Sequence, residues 1–227
     1  PNQCSAANLF VFTNTSTVSS GSLLYNWDMG DGSILTTRDV VYSYAMSGTY
    51  TVQLISTAAF GCADTISFDV STFPQPLPGF TVNAAQQCFA NNQFIFTNTS
   101  TISAGTLLYN WDLGDGTTAT TTDVTHNYAQ PGDYTVKMLV TSGDGCADSS
   151  SFGVRIHPYP FAGFLLQDDA KCINLPLLII NNTANNTAST LNYLWDFGNG
   201  QSSTLRNPYY SYPAPGNYNL SLSVSTA

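Results

Sequence analysis

Residues 8 to 32, NLFVFTNTSTVSSGSLLYNWDMGDG, return almost unchanged at 92 to 116 as NQFIFTNTSTISAGTLLYNWDLGDG, an offset of 84 residues. The same offset carries Trp27 to Trp111 and Trp195, Cys4 to Cys88 and Cys172, and Gly48 to Gly132 and Gly216, with no insertion needed between these landmarks. Three copies of one pattern must therefore fold in the same way. Their period exceeds the roughly 20 to 45 residues of a solenoid unit and approaches the roughly 100 of an immunoglobulin-sized sandwich, so each copy is expected to be a domain.

The proline-rich segments FPQPLPGF at 73 to 80 and HPYPFAGF at 157 to 164 fall at equivalent places and read as short, stiff, extended connectors. They set the domains at 1–74, 75–158 and 159–227. In this register Pro1 stands opposite Ala85 and Ala227 opposite Gly143, so the first copy is expected to lack its first strand and the third its last. The array is expected to continue past both ends, the chain being a mature product or a fragment.

Apolar residues within a copy alternate at period two, as in Tyr25, Trp27 and Met29 or Tyr50, Val52 and Leu54, with Asn26, Thr51 and Gln53 between them. Gly, Asn, Asp and Ser punctuate these runs every 8 to 12 residues, and no stretch keeps a 3.6-residue period. The fold predicted is all-β, each copy an antiparallel sandwich of about seven strands.

The runs YNWDMGDG at 25–32, YNWDLGDG at 109–116 and YLWDFGNG at 193–200 are each followed by an aromatic pair and then by G-x-Y. This resembles the PKD domain family, whose signature is W-D-F-G-D-G, then H-x-Y, then G-x-Y-x-V-x-L. The later parts stand here as His126-Asn127-Tyr128 and as Gly132 to Met138, and the match covers all three copies. Tyr42 and Tyr210 replace the usual histidine, and Asn199 replaces the second aspartate. The resemblance implies tandem immunoglobulin-like (PKD-like) sandwiches in a secreted or cell-surface protein.

Elementary chemistry gives the motif an architectural reading. Trp27, Trp111 and Trp195 offer large rings to three separate cores, and Gly30, Asp31 and Gly32 suit a tight turn with positive φ and a side-chain cap. Tyr50, Tyr134 and Tyr218, each two residues after a glycine, match a tyrosine corner, whose hydroxyl bonds back to nearby backbone.

Asp28, Asp31, Asp112 and Asp115 are candidate calcium ligands, since this cation takes six to eight oxygens. Turn capping is the stronger reading, because Asn199 substitutes for an aspartate without a compensating acid and caps equally well. No cofactor is otherwise implied. His126 and His157 do not repeat and sit in no nucleophile constellation, so no catalytic role is assigned. Sequons at Asn14 and Asn98, and Thr65 within Asp64-Thr65-Ile66, are candidate glycosylation sites. Tyr159, Tyr209 and Tyr210 could form a sugar platform, but packing is the preferred reading.

Charge narrows the partners. Only 8% of residues are charged, with five basic against fourteen acidic and a net charge of -9, which leaves nothing to neutralise phosphates or anionic lipid. No apolar run of about 18 residues exists to span a bilayer as a helix. The partners expected are other copies of the chain, end to end, or further repeats, with glycans or surface polysaccharide next. An extracellular rod, stalk or filament is the function predicted, with accessory binding modules of a secreted hydrolase as the alternative.

The five cysteines fall into two classes that repeat at 84: Cys4, Cys88 and Cys172, ahead of the second strand, and Cys62 and Cys146, opening the last. In an oxidising compartment the classes are natural partners. Pairing Cys4 with Cys62 and Cys88 with Cys146 is the simpler scheme. Strand direction counts against it, because about eight residues of strand, roughly 26 Å, would separate the two turns, and a disulfide needs Cα atoms within about 7 Å. Stacked domains would instead join Cys4 to Cys146 and Cys88 to a cysteine beyond Ala227. An irregular first strand could carry Cys88 to the other end, so both schemes stay open, the inter-domain one favoured.

Overall fold

A computed structural model describes residues 2–167, 172–184 and 190–226. Every regular element among them is a strand. The first repeat contains β1 (Asn2–Cys4), β2 (Phe10–Phe12), β3 (Leu23–Asp28), β4 (Ile34–Leu35), β5 (Val40–Tyr42), β6 (Gly48–Ala58) and β7 (Ala63–Phe73). The second contains β8 (Phe80–Val82), β9 (Gln86–Cys88), β10 (Phe94–Asn98), β11 (Leu107–Asp112), β12 (Thr118–Ala119), β13 (Val124–His126), β14 (Gly132–Ser142) and β15 (Ala147–His157). The third contains β16 (Phe164–Leu166), β17 (Leu177–Asn181), β18 (Leu191–Asp196), β19 (Ser202–Ser203), β20 (Tyr209–Tyr210) and β21 (Ser221–Thr226).

Each repeat is a two-sheet sandwich. The sheet orders are β1-β7-β6-β3-β4 with β2-β5, then β12-β11-β14-β15-β9 with β13-β10-β8, then β19-β18-β21 with β16-β17-β20. Packing gathers residues 1–81, 96–124 and 136–152 into one compact unit and 82–95, 125–135 and 153–227 into another, so the middle repeat contributes to both.

Alternation builds the cores. Along β3, Leu23, Tyr25 and Trp27 turn inward while Leu24, Asn26 and Asp28 face water, as period-two geometry requires. Phe10, Phe12, Trp27, Met29, Val40, Tyr44, Val52, Leu54 and Val70 close one core, and Leu177, Ile179, Trp195 and Phe197 close that of the third repeat.

Two features depart from the sequence expectation. The middle repeat has eight strands rather than seven, and the extra one is not antiparallel: β9 runs parallel to the end of β15, with Gln86 opposite Arg155 and Cys88 opposite His157. In the first repeat β1 pairs with β7 likewise, Cys4 facing Phe73. A three-residue strand is too short to announce itself by alternation.

The register is also not uniform. Phe94 and Phe96, fully buried, correspond to Leu177 and Ile179, an offset of 83, whereas the 84-residue equivalent of Phe96, Ile180, is 45% exposed. The positive-φ residues Ala7, Asn91 and Asn174 place the lost residue before Asn174, and Leu107 and Leu191 restore 84 at the head of β11 and β18. Shortening a loop leaves the strand faces intact, while a one-residue slip within a strand would turn its core side to solvent.

The proline-rich connectors are pinned at intervals to the repeat that follows. Leu77 and Thr101 exchange backbone hydrogen bonds of 2.8 and 3.0 Å, and Phe161 and Ala184 do the same at 3.2 and 3.1 Å. Each connector leads directly into a strand whose phenylalanine caps the buried indole: Phe80 lies edge-on to Trp111 at 5.0 Å, and Phe164 to Trp195 at 5.3 Å.

Candidate functional site

Three elements recur in every repeat: the turn after the tryptophan strand, an aromatic column beside it, and a cysteine-bearing end. In the turn, Asp28 Oδ1 accepts the Gly30 amide at 2.9 Å, and Asp31 Oδ1 accepts the Ser33 amide at 3.0 Å. Asp112 and Asp115 cap Gly114 and Thr117 at 3.0 Å each, and Asp196 and Asn199 cap Gly198 and Gln201 at 2.8 and 3.3 Å. All four calcium candidates thus hold local backbone amides, a service that Asn199 performs as an amide. Among the described residues no three His, Cys, Asp or Glu side chains converge as a metal cluster.

Asp31 has a second partner. The Tyr42 hydroxyl donates to Asp31 Oδ2 at 2.8 Å and lies 2.7 Å from Ser33 Oγ. Burial works to raise the Asp31 pKa, but the bonds from Tyr42 and Ser33 prevail and hold it below its ordinary value. In the third repeat the polarity is reversed, Asn199 Nδ2 donating to the Tyr210 hydroxyl at 2.8 Å. Carboxylate and amide therefore reach the same tyrosine position by opposite proton directions.

The aromatic column continues inward. Tyr44 stacks on Tyr50 at 3.8 Å, Tyr128 on Tyr134 at 4.0 Å and Tyr212 on Tyr218 at 4.0 Å. Tyr50, Tyr134 and Tyr218 donate to the carbonyls of Met46, Gln130 and Ala214, four residues back, at 2.8, 2.8 and 3.0 Å. Burial raises the Tyr44 and Tyr212 pKa values above the tyrosine norm. Their hydroxyls donate to the Met29 and Phe197 carbonyls at 2.7 and 2.8 Å, tying the column to the turn.

Trp27, Trp111 and Trp195 are buried, and each indole N–H donates to a backbone carbonyl, of Thr37, Thr121 and Leu205. Of the two histidines, His126 packs edge-on to Tyr128, and His157 Nε2 pairs with Gln86 Oε1 at 2.7 Å.

The sequons have a structural employment. Asn14, Asn98 and Asn181 Oδ1 accept the amides of Ser16, Ser100 and Thr183 at 2.8, 2.9 and 2.9 Å, so the N-x-S/T spacing is an Asx turn in all three repeats. The third was hidden by the register slip. Asn14 is 3% exposed with its Nδ2 buried, so the atom that a glycan would need is shielded; Asn98 is half-buried and Thr65 exposed. Tyr159 stacks at 6.0 Å on Phe89 and packs against Phe161, while Tyr209 stands 74% exposed.

Sequence reasoning passed over Asn8 and Asn92. Each is buried and bonds both backbone groups of a tyrosine, Tyr44 and Tyr128, from 36 residues away, like a fragment of sheet. Their 84-residue recurrence was a signal, but an isolated asparagine in a loop carries no pattern of its own.

The cysteine-bearing end distinguishes the repeats. Cys4 is bonded to Cys146, with Cα atoms 5.6 Å apart and a separation of 142 positions in sequence. The within-repeat scheme is sterically closed here: Cys4 faces Phe73 at one end of β7, and Cys62 precedes its other end, roughly 36 Å away at about 3.3 Å per residue. Cys62, Cys88 and Cys172 are free and exposed. Beside the bridge, Gln75 Nε2 donates to the Ala147 carbonyl at 2.7 Å, adding a polar tie at the same junction.

The PKD domain family model matches residues 2–72, 75–156 and 168–227. The chain is 37% identical over 57 residues to the pre-pro-metalloprotease PrtV of Vibrio cholerae, which covers 25% of this chain and 6% of that protein. It is 30% identical over 109 residues to polycystin-1 of Homo sapiens, covering 46% of this chain and 2% of that protein. It therefore spans only a small part of either relative. Among solved structures, the PKD1 domain of Vibrio cholerae metalloprotease PrtV aligns at 28% identity and a TM-score of 0.33, over 36% of this chain and 96% of that domain. With three family matches in tandem, each on a sandwich of the same strand plan, the chain belongs to the PKD domain family.

Proposed function

We propose that this chain is a non-catalytic, structural or adhesive segment of an extracellular rod or stalk, in which successive sandwiches are held in line and project a surface away from its anchor. The observation that carries the reading is the Cys4–Cys146 bridge between the first repeat and the second. A covalent tie between neighbouring sandwiches has no use in a loose string of binding modules, but it suppresses bending where reach matters. Connectors pinned to the following repeat support the same purpose, as does the oxidising compartment that a disulfide implies. The repeated aromatics and aspartates are committed to cores and turns, which supports a role in shape rather than chemistry.

Electron microscopy of the purified chain tests this directly. Elongated particles that lose their straightness on reduction are expected; compact particles would sink the reading.

A second reading has one specific observation behind it, the similarity to a metalloprotease over 57 residues. In it the repeats serve as accessory modules that help a secreted hydrolase contact polysaccharide or protein. Co-sedimentation with insoluble polysaccharide and fibrous protein separates the two, since the rod reading requires no such retention.

A further inference from the structure

Asn199 and Gly200 form the one Asn-Gly pair in the chain, and they stand where the first two repeats have Asp31-Gly32 and Asp115-Gly116. An asparagine followed by glycine is chemically labile, because the glycine amide nitrogen, unhindered by a side chain, can close on the asparagine Cγ and expel ammonia. In a folded protein that reaction needs a free nucleophile, room for the ring, and help for the oxygen and for the leaving nitrogen.

The turn of the third repeat supplies each. Among the described residues the Gly200 amide donates to no acceptor, while the amides on either side cap the turn, Gly198 on Asp196 Oδ1 and Gln201 on Asn199 Oδ1. Asn199 and Gly200 are both exposed, and nothing lies within 4 Å of the place that a Gly200 Cβ would occupy. The Gln201 amide, 3.3 Å from Asn199 Oδ1, is placed to take up the charge that grows on this oxygen as the ring closes. Asn199 Nδ2, the nitrogen that must leave, donates to the Tyr210 hydroxyl at 2.8 Å, whose own proton remains for the departing ammonia. Stacking on Phe197 at 3.9 Å holds the Tyr210 ring in place.

The first repeat shows what conversion would gain. There the Tyr42 hydroxyl donates to Asp31 Oδ2 at 2.8 Å and the Ser33 amide to Oδ1 at 3.0 Å. Against the opposing effect of burial, these bonds hold the Asp31 pKa below its ordinary value, so the site favours a carboxylate. The third repeat keeps the tyrosine and lacks only the acid.

We propose that Asn199 is a self-processing site, which converts without an enzyme to aspartate and gives the third repeat the carboxylate–tyrosine turn of the first. The Gly200 nitrogen loses its proton to solvent and bonds to Cγ as the Cγ–Nδ2 bond breaks. Nδ2 departs as ammonia with a proton from Tyr210, which solvent returns. Water then opens the succinimide at Cγ, restoring the Gly200 amide, so that amide and water become carboxylate and ammonium. Opening at the main-chain carbonyl instead would insert a carbon into the backbone of a turn closed by the Phe197 amide on the Gln201 carbonyl at 3.0 Å, and the fold opposes it.

The test is storage of the purified 227-residue chain at mildly alkaline pH, followed by peptide mapping that separates aspartate from isoaspartate. Asn199 is expected to convert before the other asparagines, chiefly to aspartate in folded protein and chiefly to isoaspartate in denaturant. Aged folded protein should coelute with the Asn199→Asp variant on anion exchange. Tyr210→Phe, which keeps the ring, is expected to slow conversion several-fold in folded protein and to leave the rate in denaturant unchanged. An Asn199 that converts no faster than the other asparagines, isoaspartate as the main product of folded protein, or a Tyr210→Phe rate equal to that of the parent would each overturn the proposal.

Discussion

Gly30 and Gly32 share one turn and carry different burdens. A Cβ on Gly30 would lie 2.7 Å from the Thr51 carbonyl oxygen, whereas Gly32 faces open space and needs only its φ of 93°. Gly32→Ala is expected to cost about 1–2 kcal/mol, the strain of an L-residue held in left-handed backbone. Gly30→Ala adds a backbone clash and is expected to cost clearly more, chemical denaturation giving the ranking. Trp111→Ala removes a fully buried ring and should cost about 3–5 kcal/mol; a negligible loss would contradict the core described here. Tyr42→Phe deletes the hydroxyl that holds the Asp31 pKa down, so the Asp31 titration followed by NMR should move upward. The sign for stability follows: a carboxyl lowered on folding stabilises above its unfolded pKa, and that contribution disappears as pH falls through its folded pKa. The third repeat has Asn199 at this place and should lack this part of the acid response.

Strands show what could be read in advance and what could not. Core strands such as β3, β6, β11 and β14 were legible because six to eleven residues of alternation cannot be mistaken for a helix, and the motif turn because glycine and aspartate have few other uses together. The parallel strands β1 and β9 were illegible: three residues hold too little alternation, and their pairing is decided by sheet edges brought close only after folding. The slip to an 83-residue offset escaped notice because Cys172 and Trp195 both lie outside it, so landmarks agreed while the strand between them had moved. The same slip concealed the third Asx turn at Asn181, and with it the evidence that the sequon spacing is structural. Phe80 and Phe164 belong to this scale as well, each being the one aromatic by which a connector enters the next core. Phe80→Ala should uncover Trp111 and shift its fluorescence to the red; an unchanged spectrum would mean that the connector strand does not cover the indole.

Across the whole molecule the Cys4–Cys146 bond changes the route by which tension travels. A pull on the N-terminus reaches Cys4 almost at once, crosses the sulfur bridge, and continues from Cys146 toward the C-terminus. The 141 residues between them, holding the core of the first repeat and most of the second, lie in parallel with that route and bear none of the load. Extended, the bypassed loop would measure roughly 480 Å at about 3.4 Å per residue. Single-molecule stretching should therefore show a contour length shorter by about that amount under oxidising conditions, and recover it when a reductant is added. Equal lengths in both conditions would mean that the bridge is not on the load path. A segment wired in this way behaves under strain as a safety strap: its first sandwich and most of its second are spared for as long as the sulfurs stay joined, and their length is released only when a thiol, rather than force, cuts the strap.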